Sequence, residues 1–186
     1  MSNQFEDYVQ NVISAWPIVQ KEGAMLTIEK YGYPQEATES LLIWYNNGPW
    51  KRTTVFRDAY THNWPSPHPD FLANTIDYKL PEEAYSKIAR YDGSGYAFRT
   101  RGELTVNCDK EENNILSFNI IHDIATGKRS VDEAKLFYTN TWDNYYLHNI
   151  PSPYMEKLLF TPQGYTADPD VPTTQVVPGY LKGKNF

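Results

Sequence analysis

A period-two pattern over 96–108, with mainly apolar residues at even positions and mainly polar residues at odd positions, is the feature that most constrains the fold of this chain. A period of two residues is typical of a β-strand that is buried on one face. Thirteen residues is long for a strand, so we expect Gly102 to mark a bulge or a bend within it. The alternation therefore predicts one long strand whose odd-numbered side chains, including Arg99, Arg101 and Glu103, emerge together on the polar face.

Helices are predicted where apolar residues recur every three or four positions. Two such segments open the chain, separated by Pro17, and the second ends before Gly32. Two more follow the long strand, and each begins with a capping box, in which a polar side chain and a glutamate three residues later bond to free backbone N–H groups. The two boxes pair Asp109 with Glu112 and Ser130 with Glu133.

Three further strand segments precede the long alternation. Segments 40–46 and 51–58 flank a cluster of turn residues, which predicts a hairpin. An alternation over 74–80 predicts the third segment. Between them, the prolines within 65–69 favour an extended, polyproline-like loop.

A further short helix is predicted to open at Pro81 and to be broken by the turn residues Asp92 to Gly95. The predicted order of elements is α-α-β-β-β-α-β-α-α. Four strands cannot bury an apolar face alone, so helices must cover it. We therefore predict an α+β fold, in which a mainly antiparallel four-stranded sheet packs against helices in two layers. A single α+β domain is expected over 1–160, including a short helix near 154–160. Prolines cluster in the remainder, which predicts an irregular Pro-rich C-terminal extension over 161–186.

Composition narrows the classes of function. The chain has 17 Lys and Arg against 23 Asp and Glu, a net charge of −6, which argues against nucleic acid or an anionic membrane as a partner. No segment approaches the roughly 20 apolar residues of a membrane helix. The opening residues, with Glu6 and Asp7, do not resemble a signal peptide, so a cytoplasmic location is expected. A single cysteine excludes a disulfide framework, and without a cofactor-binding motif no cofactor is predicted.

The first candidate site is the polar face of the predicted long strand. Same-side positions of a strand are about 6.8 Å apart, so Arg99 and Arg101 could converge on one carboxylate or phosphate. Glu103 could orient Arg101 or act as a base. The alternative is a solvated sheet face whose charges pair with their neighbours.

A second candidate lies on the helix that follows Asp109. Asn119, His122 and Asp123 form a narrow polar stripe on an otherwise apolar helix. Such a stripe is either the solvent edge of the helix or the wall of a cleft, in which His122 would titrate near neutral pH.

Aromatic residues suggest a third candidate. Trp50 and Trp64 belong to a belt of aromatic and amide residues around the predicted hairpin and the following loop. This composition suits stacking against a flat ligand, and it equally suits a core or an interface that uses rings for bulk.

His62, His68 and Asp70 contain ligand types that suit a transition metal. In a straight polyproline-like chain, however, the two histidines would lie roughly 19 Å apart. Because only a sharp reversal between them could bring both to one ion, no metal site is predicted. Cys108 closes the inward row of the long strand and is interpreted as inert packing, with a nucleophile as the alternative.

Three functions remain open. The first is a module that binds a small anionic molecule through the arginines. The second is a protein-interaction module, for example a homo-oligomer, that uses exposed aromatic residues. The third is an enzyme with Glu103 or His122 as the general base. The sequence does not decide whether the protein is an enzyme.

Overall fold

A computed structural model of the protein describes residues 4–164, 166 and 168–184. In this part of the chain the helices are α1 (Gln4–Ser14), α2 (Ile18–Tyr31), α3 (Tyr85–Tyr91), α4 (Glu111–Ala125), α5 (Val131–His148) and α6 (Pro153–Glu156). The strands are β1 (Glu36–Ala37), β2 (Leu41–Asn47), β3 (Trp50–His62), β4 (His68–Asp77), β5 (Gly95–Phe98) and β6 (Glu103–Cys108). Short 3-10 turns occupy Glu82–Ala84 and Gly179–Leu181. No helix in the described part of the chain is both long and apolar enough to cross a bilayer.

The strands form one antiparallel sheet in the order β1-β2-β3-β4-β6-β5, which confirms the α+β class with an antiparallel sheet. The prediction of four strands is wrong, because the sheet has six. One of the additional strands is the two-residue β1 at the edge. The other arises because the segment 96–108 is not one strand but a hairpin of β5 with β6.

Gly102 explains why the alternating segment reverses. Its φ of 59° lies in the left-handed region, which a glycine adopts without steric cost. The carbonyl of Gly102 accepts a hydrogen bond from the backbone N–H of Tyr78, so the turn is fixed to the end of β4. A Cβ at this position would collide with the side chain and the carbonyl oxygen of Thr166. The sequence predicts a bulge or a bend at Gly102, whereas in the structure the chain reverses its direction there.

Helices cover one face of the sheet through two apolar clusters. The larger cluster joins α3, α4 and α5 to β4 and β6, and its most buried members include Ile76, Leu104 and Phe118. The smaller cluster joins α1 and α2 to β2 and β3 through residues such as Ile13 and Trp44. Along β6, Leu104 and Val106 therefore point toward α4, and Glu103 lies on the opposite face.

The predicted extended loop around the prolines is a second hairpin. β3 continues to His62 and β4 begins at His68, and these two residues are paired across the strands. The tip contains a cis peptide bond between Trp64 and Pro65. The ring of Trp64 packs 4.7 Å from that of Tyr138, which holds the tip against α5. The prolines were interpreted as a sign of an extended loop. Pro65 and Pro67 lie in the tip of the hairpin and Pro69 lies in β4, and none of them prevents the pairing of the two strands.

One of the two predicted capping boxes is present. At the start of α5, Ser130 accepts from the backbone N–H of Glu133, and Glu133 accepts from that of Ser130. The box predicted at Asp109 is wrong, because Lys110 occupies the capping position of α4 without a side-chain cap. Asp109 is instead bonded to the side-chain amide of Asn113.

Beyond α6 the structure describes residues 157–164, 166 and 168–184. The short helix ends at Glu156, earlier than predicted. Gln163 and Asp170 contact the domain, since the Gln163 N–H donates to the carbonyl of Asp77 and Asp170 pairs with Arg99. The division into a domain over 1–160 and an irregular Pro-rich extension over 161–186 stays a prediction, and 165, 167, 185 and 186 lie outside the described residues.

Candidate functional site

The end of the β3–β4 hairpin brings three potential metal ligands together. His62 is paired with His68, and Asp70 lies two residues further along β4 on the same face. One ligand atom from each residue can be chosen so that all three lie within 4.8 Å of one another. The separation of roughly 19 Å expected for a straight chain is therefore wrong, because the chain reverses between the two histidines.

His68 is oriented by its own hairpin. Its Nδ1 lies 2.8 Å from the carbonyl oxygen of Ser66, which can only accept, so Nδ1 carries the proton. Its Nε2 then points to Asp70 Oδ1 at 3.2 Å and to Cys108 Sγ at 3.4 Å. The adjacent Asp70 carboxylate raises the pKa of His68. His68 Nε2 thus faces an oxygen atom of Asp70 and the sulfur atom of Cys108.

His62 lies between two carboxylates. Its Nδ1 is 3.6 Å from Asp70 Oδ2, and its Nε2 is 3.8 Å from Asp92 Oδ1. Asp92 is buried at the end of α3 and accepts from the backbone N–H of Ser94. Burial raises the pKa of Asp92. Metal-bound histidines commonly have an outer carboxylate at one ring nitrogen, and Asp92 could serve in this way while the other nitrogen of His62 faces Asp70.

Asp70 is the most constrained member of the cluster. It is 8% exposed, and its Oδ2 accepts from the hydroxyl of Ser94. Its Oδ1 lies 3.2 Å from His68 Nε2, which forms an ion pair with it when that histidine is protonated. A buried carboxylate oxygen without a donor costs free energy unless a positive charge compensates it. The cluster is therefore built for a proton on a histidine or for a cation.

Cys108 adjoins the cluster and is buried, with 5% of its surface exposed. Burial raises the pKa of its thiol, and the nearby Asp109 and Asp70 carboxylates raise it further. Its contact with His68 uses the same ring nitrogen that faces Asp70, so these residues do not form a Cys-His-Asp relay with the histidine in the middle. The nucleophile alternative gains no support from this geometry.

A cleft of about 480 Å³ reaches the cluster at Asp70 and Ser94. Its other lining residues are Ser40, Phe56, Asp58, Tyr60, Gly93, Tyr96 and Asn107. None of the described residues that line it carries a positive charge. The cleft gives the cluster access to solvent and offers hydroxyl groups, an amide and aromatic rings to a small molecule.

The predicted arginine site does not converge. Arg99 and Arg101 lie in the turn between β5 and β6, where the alternation of strand side chains no longer applies. Arg99 pairs with Glu82 at 2.8 Å and with Asp170 at 2.6 Å. Arg101 instead lies 3.3 Å from Glu103. The two guanidinium groups are engaged by different carboxylates.

Glu103, a candidate base, is held as a carboxylate. It is buried, which raises its pKa, but hydrogen bonds from Lys51 and Arg52 outweigh this effect and lower the pKa overall. It lies on the sheet face opposite α4, whereas the other candidate base, His122, belongs to α4. The two groups therefore do not share one site.

The predicted polar stripe of α4 holds the segment around α6 in place. Asn119 donates to the carbonyls of Tyr154 and Lys157, and it is buried rather than at a solvent edge. Asp123, also buried, pairs with Arg129 at 2.9 Å. His122 lies 2.9 Å from the hydroxyl of Tyr78, and burial lowers its pKa.

The two tryptophans proposed as ligand-binding residues contact other side chains of the protein. Trp50 is buried, stacks on Phe118 with a centroid distance of 5.4 Å, and donates to Glu111. Trp64 packs against Tyr138, with Lys135 over its ring. Both positions favour the alternative of a core role.

Sequence reasoning missed Asp92 and Ser94 as members of the cluster. In the sequence, the turn residues from Asp92 to Gly95 indicate only the end of a helix. No local sequence pattern links this turn to the β3–β4 hairpin. Comparison of the chain with protein-family models, with curated proteins and with solved structures gave no match. The function is therefore inferred from the geometry of the cluster.

Proposed function

We propose that this protein binds a divalent transition-metal ion through His62, His68 and Asp70. The observation that carries the proposal is the convergence of these ligand atoms within 4.8 Å of one another at the buried carboxylate of Asp70. Imidazole and carboxylate groups together suit ions such as Zn²⁺, Fe²⁺ and Ni²⁺.

The surroundings of the three ligands support this function. The Ser66 carbonyl fixes the tautomer of His68, and Asp92 faces the second nitrogen of His62. Such outer contacts orient metal-binding imidazoles. Asp70 and Asp92 also bring two negative charges to one buried location, where a divalent cation compensates them.

Metal binding requires only a local contraction. Zinc bonds to nitrogen and oxygen at about 2.0–2.2 Å, so the ligand atoms of a tetrahedral site lie roughly 3.3–3.5 Å apart. The distance from His68 Nε2 to Asp70 Oδ1 is 3.2 Å and that from His62 Nδ1 to Asp70 Oδ2 is 3.6 Å, so each is within about 0.1 Å of this range. The longest, up to 4.8 Å, must shorten by about 1 Å, which small rotations of the histidine side chains achieve.

Zinc titration of the metal-free, tag-free protein tests the proposal. We expect one tightly bound equivalent in the wild type and a loss of affinity of more than about 100-fold in His68→Ala, since removing a ligand costs more than removing an outer contact. His148→Ala is the matched control, because His148 is exposed at the end of α5, far from the hairpin in sequence. Equal affinities in the three proteins would refute the site.

The functions expected from the sequence stay predictions beside this one. A small anionic ligand at Arg99 and Arg101 would have to displace their present carboxylate partners. An interaction surface remains a second possibility on one observation, the exposure of Tyr60 and Tyr96, at 78% and 55%. A cytoplasmic location and the expected lack of nucleic-acid partners also stay predictions.

A further inference from the structure

We infer that residues 171–184 of one copy of this chain bind a groove on α2 of a second copy, so that the protein associates with itself. Neither the groove nor the segment contains a residue of the proposed metal site. The inference therefore goes beyond the proposed function and does not depend on it.

The orientation of α2 is the first observation. A helix that packs on one side only normally buries its large apolar residues and exposes its polar ones. The residues that α2 buries are instead Gln20, Ala24 and Thr27. A Cβ at Gly23 would collide with the ring of Phe71, so this side of the helix approaches the sheet closely. Small and polar residues therefore occupy much of the inward side of α2.

The outward side of α2 is apolar. Ile28 and Tyr31 pack partly against the core. The other large apolar residues of the helix are 44% to 65% exposed, and they are Ile18, Val19, Met25 and Leu26. Single exposed apolar residues are common on protein surfaces, but a cluster on one helix indicates an interaction surface. The groove here has a volume of about 510 Å³ and is lined by Gln10, Glu22, Met25, Leu26, Ile28 and Glu29.

The segment 171–184 is the second apolar surface of the chain. It follows Asp170, which pairs with Arg99 in the turn between β5 and β6. Every residue from 171 to 180 is exposed, including Val171, Val176 and Tyr180 at 79%, 78% and 74%. The exposure of both surfaces in one chain shows that the segment does not fill the groove of its own chain. We therefore assign it to the groove of a second copy.

The charges of the two surfaces are complementary. The charged residues of the segment are Lys182 and Lys184, and its sequence contains no aspartate or glutamate. The charged residues that line the groove, Glu22 and Glu29, are both acidic. Opposite charges around an apolar contact favour one partner over others and set its orientation. This complementarity identifies the segment as the occupant of the groove.

The arrangement allows two kinds of assembly. Each chain has one groove and one segment, so two copies can bind reciprocally as a closed dimer, or several can assemble head to tail. A short segment in a groove buries less surface than a standard protein interface, so we expect a dissociation constant in the micromolar range.

Sedimentation equilibrium without added metal tests whether the chain associates. We expect the average mass of the wild type to rise with concentration and Leu26→Glu to weaken association about 10-fold or more. Leu136→Glu is the matched control, because Leu136 of α5 is 63% exposed and Leu26 is 65% exposed. A wild type that stays monomeric up to about 1 mM would overturn the inference. Equal association of the three proteins would overturn it as well.

A mixing experiment tests which surfaces meet. Leu26→Glu retains an intact segment, and the double variant Val176→Asp, Tyr180→Asp retains an intact groove. All three residues are exposed, so we expect both variants to fold. An equimolar mixture should associate more strongly than either variant alone, because the segment of one meets the groove of the other. A mixture that associates no more than its components would overturn the inference.

Discussion

Two buried carboxylates of the same sheet, Glu103 and Asp70, have opposite surroundings. Glu103, 4% exposed, lies 3.1, 3.2 and 3.3 Å from three side chains that carry permanent charge. These side chains are Lys51, Arg52 and Arg101. Asp70, 8% exposed, is paired with two histidines, and within the described ranges it forms no ion pair with a lysine or an arginine.

The difference shows that burial alone does not mark a functional carboxylate. The charge of Glu103 is compensated by the chain itself, so the group stabilises the start of β6 and is not available to a ligand. The partners of Asp70 are imidazoles, which are charged only when protonated and whose unperturbed pKa is near 6.5. Compensation at Asp70 therefore depends on a proton or on an ion from outside.

The largest expected difference between Asp70 and Glu103 is the effect of zinc on the free energy of unfolding. At a free zinc concentration 100-fold above Kd, binding to the folded chain adds about 2.7 kcal/mol to the free energy of unfolding. Asp70→Asn keeps the shape of the side chain but removes its charge, so we expect most of this gain to disappear. Denaturant unfolding with and without zinc measures it. The same gain in both proteins would show that Asp70 does not bind the ion.

A smaller effect, independent of zinc, is expected from Glu103→Gln. Removing one partner of a buried ion pair costs about 3–5 kcal/mol, but Lys51 and Arg101 are 37% and 54% exposed and recover hydration, so we expect about 2 kcal/mol. The same unfolding experiment measures the loss, which should be equal with and without zinc. If zinc changed the size of this loss of stability, Glu103 and Asp70 would not act independently, which would contradict the comparison.

The smallest effect is the pH dependence that Glu103 contributes. Its pKa in the folded protein is below the ordinary value, so the unfolded chain takes up the proton first as the pH falls. The stabilisation is complete above about pH 5 and is lost as the pH falls through the pKa of the folded state. The difference in unfolding free energy between wild type and Glu103→Gln should therefore shrink toward acid. A difference that grows toward acid would mean that folding raises the pKa of Glu103 instead of lowering it.

Local signals in the sequence predicted the elements that local chemistry determines. The capping box of Ser130 and Glu133 and the break at Pro17 are confirmed, because each depends on residues within one helical turn. The α+β class followed from the order of helices and strands. The capping box at Asp109 failed since Asn113 and Cys108 engage that carboxylate instead.

The candidate site depended on pairing between distant segments. The spacing of His62, His68 and Asp70 suggested a metal, but they are joined by a reversal whose tip packs Trp64 against Tyr138, more than 70 positions away. The reversal at Gly102 likewise depends on contacts with Tyr78 and Thr166. In both hairpins the sequence pointed to the relevant residues, but it did not predict that the chain reverses its direction there.

Anomalous X-ray diffraction at the zinc absorption edge tests the central claim most directly. Crystals of the protein soaked in a low concentration of Zn²⁺ should show one strong anomalous peak within bonding distance, about 2.0–2.2 Å, of His62 Nδ1, His68 Nε2 and the Asp70 carboxylate. A peak only elsewhere on the molecule, or no peak at this position at full zinc loading, would contradict the account.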